Sequence, residues 1–332
     1  MDKFHWAYIG CGGIAETTAK EILRSGEHEI TAVWNRTRER AEKFAGRYGG
    51  RVCDTVEDAV CAPGVEGVYI ATTPDKHPEY IRLCIALGRP VLCEKPFAVN
   101  GTVTKALLDE AAQAGVYVSE AMWTWHNSIA LRVKDWVRSG RAGRIRAVRM
   151  TYGYPLIRFS PRHRLRDSVR IGGALLDIGI YPVRYCYELF GMPEEIRCRG
   201  VLKGGVDLRE EVELRYNGFT ARLNIAMDQM LGERAVIVGS KGVVRIRQPH
   251  AARWARLGGP CPETVRDDAA LYARQFSNAA EEIRAGCKEG VKVPAGSTVD
   301  VMRILDECRR QMGLVYPPET PPLTNADGSG IM

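Results

Sequence analysis

The chain has 332 residues, 45% of them hydrophobic and 26% charged, with a formal charge of +7. That composition excludes a low-complexity or disordered chain and is long enough for two packed cores. The arginines are interleaved with acids along the whole length, so the positive charge predicts no nucleic-acid face, and no run of about 20 apolar residues predicts a membrane span.

The opening stretch MDKFHWAYIG has no basic leader followed by an apolar segment, and the ten cysteines are scattered without a CxxC pair or metal-ligand spacing. The expectation is a cytoplasmic protein with reduced thiols and no metal site. Residues 5–10 (HWAYIG) read as a first strand closed by glycine. Helical spacing over 14–26 follows, then a strand over 29–35 and a helix over 37–49 capped by Thr37. A strand is expected over 67–73, a helix over 77–88, a strand over 90–94, a helix over 101–114 and a strand over 116–121. Such alternation predicts a doubly wound parallel sheet with crossover helices, a Rossmann domain over 1–121.

Past residue 121 the pattern changes. A helix over 127–139 and a strand-like run over 144–154 precede an arginine-rich loop and an apolar helix over 173–191. Five strand candidates (194–201, 208–216, 219–228, 233–239, 242–247) come without long helices between them, and helices over 268–286 and 297–312 close the chain. This predicts an α+β domain over 122–332, built on a large, mainly antiparallel, open-faced sheet. A sheet covered by helices on one face leaves the other needing cover, which predicts a homodimer or larger assembly.

The glycine loop YIGCGGIA carries the first functional signal. Gly10 suits the tight turn after the strand, Gly12 lets backbone approach a pyrophosphate, and the small Ala15 allows close helix–strand packing. The helix N-terminus adds free N–H groups and partial positive charge for the phosphates. At the end of the second strand, where an NAD site usually offers a carboxylate to the ribose, the chain reads Asn35–Arg36, with Arg38 and Arg40 following. Arginine holds a 2′-phosphate that a carboxylate would repel, so NADP is expected, with NAD as the alternative. The segment PVLCEKPF (90–97) ends an apolar strand in Glu94 and Lys95. Ligands bind at the carboxyl ends of such strands, so both side chains are expected at the site.

GxGxxA at 10–15, EKP at 94–96, SEAMW at 119–123 and LLDIGIYPV at 175–183 together resemble the Gfo/Idh/MocA family of NAD(P)-dependent oxidoreductases. GSKGVVRI (239–246) and RILDECRRQMGLVYP (303–317) resemble its dihydrodiol and NADP-dependent xylose dehydrogenase branch. The resemblance implies hydride transfer between a nicotinamide and a carbinol or ketone carbon of a sugar, polyol or trans-dihydrodiol. It implies Lys95 beside the nicotinamide, Asp177 and Tyr181 in proton transfer, and a cis bond before Pro96. An ammonium near Tyr181 is expected to lower its pKa, and the spacing of four puts Asp177 and Tyr181 on one helix face. The expected cofactor set is Gly10, Gly12, Gly13, Ile14, Ala15, Asn35, Arg36, Arg40, Thr72, Thr73, Pro74, His77, Glu94, Lys95 and Glu120. Substrate contacts are expected from Trp123, Trp125, Tyr154, Asp177 and Tyr181, with His126 as a further aromatic candidate. Two alternatives stay open. Closure of loop 157–170, with Arg158, Arg162, Arg164, Arg166 and Arg170, would favour an anionic or nucleotide-linked keto-sugar, and a cofactor-sensing regulator on the same fold would lack turnover.

Overall fold

The computed structural model describes residues 2–155 and 163–319. Its first half is a six-stranded parallel sheet in the order β3-β2-β1-β4-β5-β6. The strands are Phe4–Ile9 (β1), His28–Trp34 (β2), Arg51–Val52 (β3), Gly67–Ile70 (β4), Val91–Glu94 (β5) and Val118–Ala121 (β6). Helices Gly13–Ser25 (α1), Arg38–Tyr48 (α2), Val56–Val60 (α3), His77–Ala86 (α4) and Gly101–Ala114 (α5) form the crossovers. Strand order reverses between β1 and β4, which puts the ligand crevice at the carboxyl ends of these two strands. β4 and β5 are buried at every position, as strands covered on both faces must be. The short β3 and α3 were not foreseen: two residues of strand and five of helix are too few to show a period.

The second half holds an eight-stranded sheet in the order β14-β13-β12-β11-β7-β10-β9-β8. Its strands are Ile145–Gly153 (β7), Glu195–Lys203 (β8), Val206–Tyr216 (β9), Phe219–Ala226 (β10), Gly232–Gly239 (β11), Val243–Arg247 (β12), Trp254–Gly258 (β13) and Glu263–Arg266 (β14). Every pairing is antiparallel except β7 with β10. In β10, Ala221, Leu223 and Ile225 turn inward while Arg222 and Asn224 turn outward, a period-two pattern that sets which face is core. Helices Ser128–Arg138 (α6), Ile180–Phe190 (α7) and Ala295–Met312 (α9) supply Val133, Val183, Leu189, Met302 and Leu305 to that core. The opposite face carries cross-strand ion pairs such as Arg222–Glu213 at 2.8 Å. β13 and β14 lay outside the predicted strands, hidden in a run rich in Gly, Pro and Arg.

The helix Ala273–Arg284 (α8) leaves the second sheet and returns to the first. Phe276 meets Trp6 edge-on at 5.1 Å and Tyr69 at 4.8 Å, and Ala279 and Ala280 join the same cluster. The first core is therefore not built from residues 1–121 alone. Helix α8 starts at Ala273 rather than at 268, because Tyr272 is drawn to Glu21, whose carboxylate accepts its N–H at 2.7 Å. Among the described residues no helix is long and apolar enough to cross a membrane.

Candidate active site

Gly10 closes β1 with φ +102°, and a side chain there would strike the Ala71 carbonyl at the end of β4. Only glycine satisfies both conditions. Gly12 caps α1 without a side-chain cap, and a Cβ at Gly12 or Gly13 would meet nothing within 4 Å. The space in front of the α1 N–H groups is thus left open, as a pyrophosphate requires. Asn35 accepts the Cys11 N–H at 3.2 Å and donates to the Thr37 carbonyl at 2.9 Å, pinning the glycine loop to the end of β2. Arg38 is engaged by Glu42 and Asp54, whereas Arg36 and Arg40 are exposed and make no ion pair among the described residues.

Beyond the loop lies a cavity of about 300 Å³ lined by Ile14, Thr72, Pro74, Glu94, Lys95, Trp123, Tyr152, Arg164, Asp177, Ile178, Tyr181, His250 and Tyr272. β5 delivers Glu94 and Lys95, and the Lys95–Pro96 bond is cis. Lys95 Nζ donates to the Asp177 carbonyl at 2.7 Å and lies 3.4 Å from its carboxylate. Arg164 donates to the same carboxylate at 2.6 Å. Burial opposes ionisation of Asp177, but Lys95 and Arg164 outweigh it and hold the carboxyl well below the usual range. Glu94 accepts the Tyr69 hydroxyl at 2.6 Å; burial pushes it up to about 7 despite that bond and despite Lys95. The Tyr181 hydroxyl accepts the Trp123 indole N–H at 3.0 Å, and Trp123 stacks on Tyr272 at 4.3 Å.

Asp177 sits in a π-helical turn, Leu175–Gly179, that runs into α7. The wider turn departs from the single α-helical face expected for Asp177 and Tyr181, although both reach the cavity. Its start is anchored by Asp207 of β9, which accepts the Leu175 N–H at 2.6 Å and occupies the space a side chain at Gly173 (φ +113°) would need.

Two family models match this architecture. One, described as an oxidoreductase family with an NAD-binding Rossmann fold, covers residues 4–122; the other, described as a GFO/IDH/MocA C-terminal domain, covers residues 130–245. The chain belongs to the Gfo/Idh/MocA oxidoreductase family. Within that family, trans-1,2-dihydrobenzene-1,2-diol dehydrogenase of Mus musculus is 30% identical over 328 residues, covering 94% of this chain and 98% of its own. The Homo sapiens enzyme of the same name is 29% identical over 333 residues, with the same shares covered. The fold is shared with a 3-ketoreductase from Actinomadura kijaniata, solved with NADP and TDP-benzene, at TM-score 0.82 and 23% identity over 94% of this chain and 98% of that one. It is shared also with aldose-aldose oxidoreductase from Caulobacter crescentus, solved with glycerol, at TM-score 0.83 and 21% identity over 93% and 97%.

Several expected site residues of this Gfo/Idh/MocA chain lie elsewhere. Glu120 is buried against Arg184 at 3.4 Å and accepts from Thr298 at 3.2 Å, so an internal ion cluster holds it rather than the crevice. His77 is fully buried, its ring nitrogens at the Pro96 carbonyl (3.1 Å) and the Thr72 carbonyl (3.3 Å); burial lowers it to about 4, and it ties two cavity-edge loops together. Trp125 packs on Tyr185 at 5.0 Å beneath Lys134, outside the cavity lining. His126 is buried against Asn278 at 2.8 Å. Tyr154 stands behind Tyr152, ring to ring at 5.9 Å. Arg158 and Arg162 lie outside the described residues, and Arg170 pairs with Asp167 at 3.3 Å.

The expected lowering of Tyr181 is reversed. Lys95 Nζ sits 5.0 Å over the ring, spent on Asp177, while burial and then Tyr152, Tyr272 and Glu94 push the phenol well above its ordinary value. The sequence reading also missed Tyr152, His250 and Tyr272, which come from β7, from the turn after β12 and from the approach to α8. One signal was available for Tyr272: it stands at the start of a helical run, shortly after the charged stretch 266–268.

Proposed function

We propose that this oxidoreductase moves hydride between NADP(H) and the carbinol or ketone carbon of a neutral sugar, polyol or trans-dihydrodiol. The observation that carries the reading is the meeting of Lys95, Asp177 and Tyr181 at one cavity beside the open glycine loop. The nicotinamide supplies the hydride acceptor or donor when bound; Gly10, Gly12, Gly13, Ile14, Ala15, Thr72, Thr73 and Pro74 would hold the dinucleotide. The chain's own groups handle the proton. Tyr181 takes its hydrogen bond from Trp123, so its hydroxyl hydrogen is directed elsewhere, and a phenol raised by burial keeps that hydrogen until a substrate oxygen claims it. Lys95 gives one N–H to the Asp177 carbonyl, which positions a remaining N–H of the ammonium to donate to the same oxygen. Among the described residues, two cations (Lys95, Arg164) stand against Asp177 and a Glu94 that titrates near neutrality, which leaves little net charge to attract an anionic substrate.

The preference for NADP is supported by Asn35 in place of a carboxylate and by the exposed Arg36 and Arg40. Ten unpaired cysteines support a reducing, cytoplasmic setting. A homodimer through the outward face of the second sheet is supported by exposed Val201 and Met230, which share one recess of that face. The test is a panel of vicinal diols, neutral sugars and nucleotide-linked sugars with NADP⁺ and NAD⁺, following reduced nicotinamide. Neutral substrates with NADP⁺ are expected to lead, and Arg36→Ala is expected to weaken NADP⁺ roughly tenfold or more while sparing NAD⁺, as loss of a charge-assisted bond should. Preference for the nucleotide-linked set, or equal losses for both cofactors, contradicts the reading.

A further inference from the structure

The lining of the cavity also carries a hydrogen-bonded chain that the hydride-transfer reading does not use. In the register of β11 with β7, Glu233 lies directly across from Tyr152. The turn after β12 then folds His250 over both. Gln248 takes a left-handed φ of +50° to start that turn, and its N–H is held by the Glu233 carbonyl at 3.1 Å. The Glu233 carboxylate is almost wholly buried, and its Oε1 accepts the His250 backbone N–H at 2.9 Å and faces His250 Nδ1. On the other side of the ring, Nε2 lies 3.3 Å from the Tyr152 hydroxyl.

These contacts decide which way each hydrogen points. In the neutral imidazole a carboxylate oxygen facing Nδ1 can only accept, so Nδ1 carries the ring hydrogen and Nε2 is left with a lone pair. Tyr152 therefore donates to His250. Burial first, then Glu233 and Asp177, hold the Tyr152 phenol well above its ordinary range, so it keeps the hydrogen it donates. What Tyr152 offers the cavity is an oxygen lone pair. Tyr181 has the reverse polarity, because its oxygen is already occupied by the Trp123 N–H. The two rings are 6.1 Å apart, so one wall of the cavity presents a donor and, beside it, an acceptor.

We infer that Glu233, His250 and Tyr152 form a specificity device: His250, oriented by Glu233, makes the Tyr152 oxygen an acceptor for a hydroxyl group on the carbon next to the reacting one. Tyr181 addresses the reacting oxygen and Tyr152 its neighbour. The site is then built for vicinal diols and α-hydroxy ketones, and it disfavours simple alcohols and ketones because they leave the lone pair of the half-buried Tyr152 oxygen without a donor. His250 and Glu233 are positioning residues; Tyr152 makes the contact. The inference rests on the oxidoreductase reading above.

Matched substrate pairs test it: cyclohexane-1,2-diol against cyclohexanol, and glucose against 2-deoxyglucose, each with NADP⁺ and NAD⁺. The wild-type kcat/KM ratio is expected to favour the hydroxylated member by roughly 10- to 100-fold. Tyr152→Phe and His250→Phe are expected to bring the ratio close to one, with cofactor binding by fluorescence confirming that both variants fold. A wild-type ratio near one, or a ratio that survives Tyr152→Phe, overturns the device while leaving hydride transfer intact. A ratio that survives His250→Phe but not Tyr152→Phe overturns the positioning role. Turnover of neither member of either pair with either nicotinamide overturns the underlying reading and this inference together.

Discussion

Glu94, buried, and Asp177, largely buried, are two carboxyls in one cavity, and their surroundings drive them apart. Asp177 has Lys95 and Arg164 within ion-pair distance and stays ionised. Glu94 has the Tyr69 hydroxyl and the Lys95 backbone N–H, and burial lifts it from 4.5 to about 7. The sign of the consequence follows from linkage. Below about pH 4.5 both folded and unfolded chains hold the Glu94 proton; between there and pH 7 the unfolded chain releases it while the folded chain keeps it, so stability falls as pH rises through that window. At the upper end the cost is on the order of 3 kcal/mol. Glu94→Gln removes it and keeps an acceptor for Tyr69. Chemical denaturation of the cofactor-free protein between pH 5 and pH 8 should show the variant gaining on wild type by that amount. Asp177 does not confuse the comparison, because a carboxyl held low loses its contribution only below this range. A stability difference that stays flat with pH would mean that Glu94 is ionised throughout.

At the scale of elements, the parts that were legible are those whose period or chemistry is local. The GxGxxA loop, the crossover helices and the strand ending in Glu94–Lys95 could be read directly, because a ligand crevice at strand ends follows from alternation alone. What escaped has a nonlocal cause. The π-helical turn at Leu175–Gly179 depends on Asp207, 32 residues from Leu175, and a four-residue spacing cannot reveal it. Glu120 and His77 occupy expected positions along the chain but turn into the interior, Glu120 because Arg184 of α7 arrives there and His77 because two loop carbonyls converge on it. His250 reaches the cavity only through the turn after β12 and the register of β11 with β7, and neither leaves a mark in the sequence around it. The tyrosine chemistry was misjudged for a related reason. Proximity of Lys95 could be inferred, but not that its Nζ would be spent on Asp177 while burial governs Tyr181.

For the whole molecule, the two sheets are joined at the site and again by α8, whose Phe276 completes the aromatic core of the first. The outward face of the second sheet is unlike a typical apolar interface, since Arg222–Glu213 and Arg215–Glu195 pair across its strands. The dimer proposed above should accordingly be centred on the recess holding Val201 and Met230 and be sensitive to Met230→Glu, which light scattering should report as a shift from dimer to monomer; a monomeric wild type contradicts it. The central claim is that Lys95, Asp177 and Tyr181 serve direct hydride transfer to a bound nicotinamide. Single-turnover transfer of deuterium from a carbinol C–D bond to NADP⁺ tests it most directly. The wild type is expected to place the label on the nicotinamide ring, and Lys95→Met is expected to bind NADP⁺ normally yet transfer the label roughly 10²- to 10⁴-fold more slowly. Label lost to solvent in the wild type, or transfer at the wild-type rate in Lys95→Met, would contradict the account.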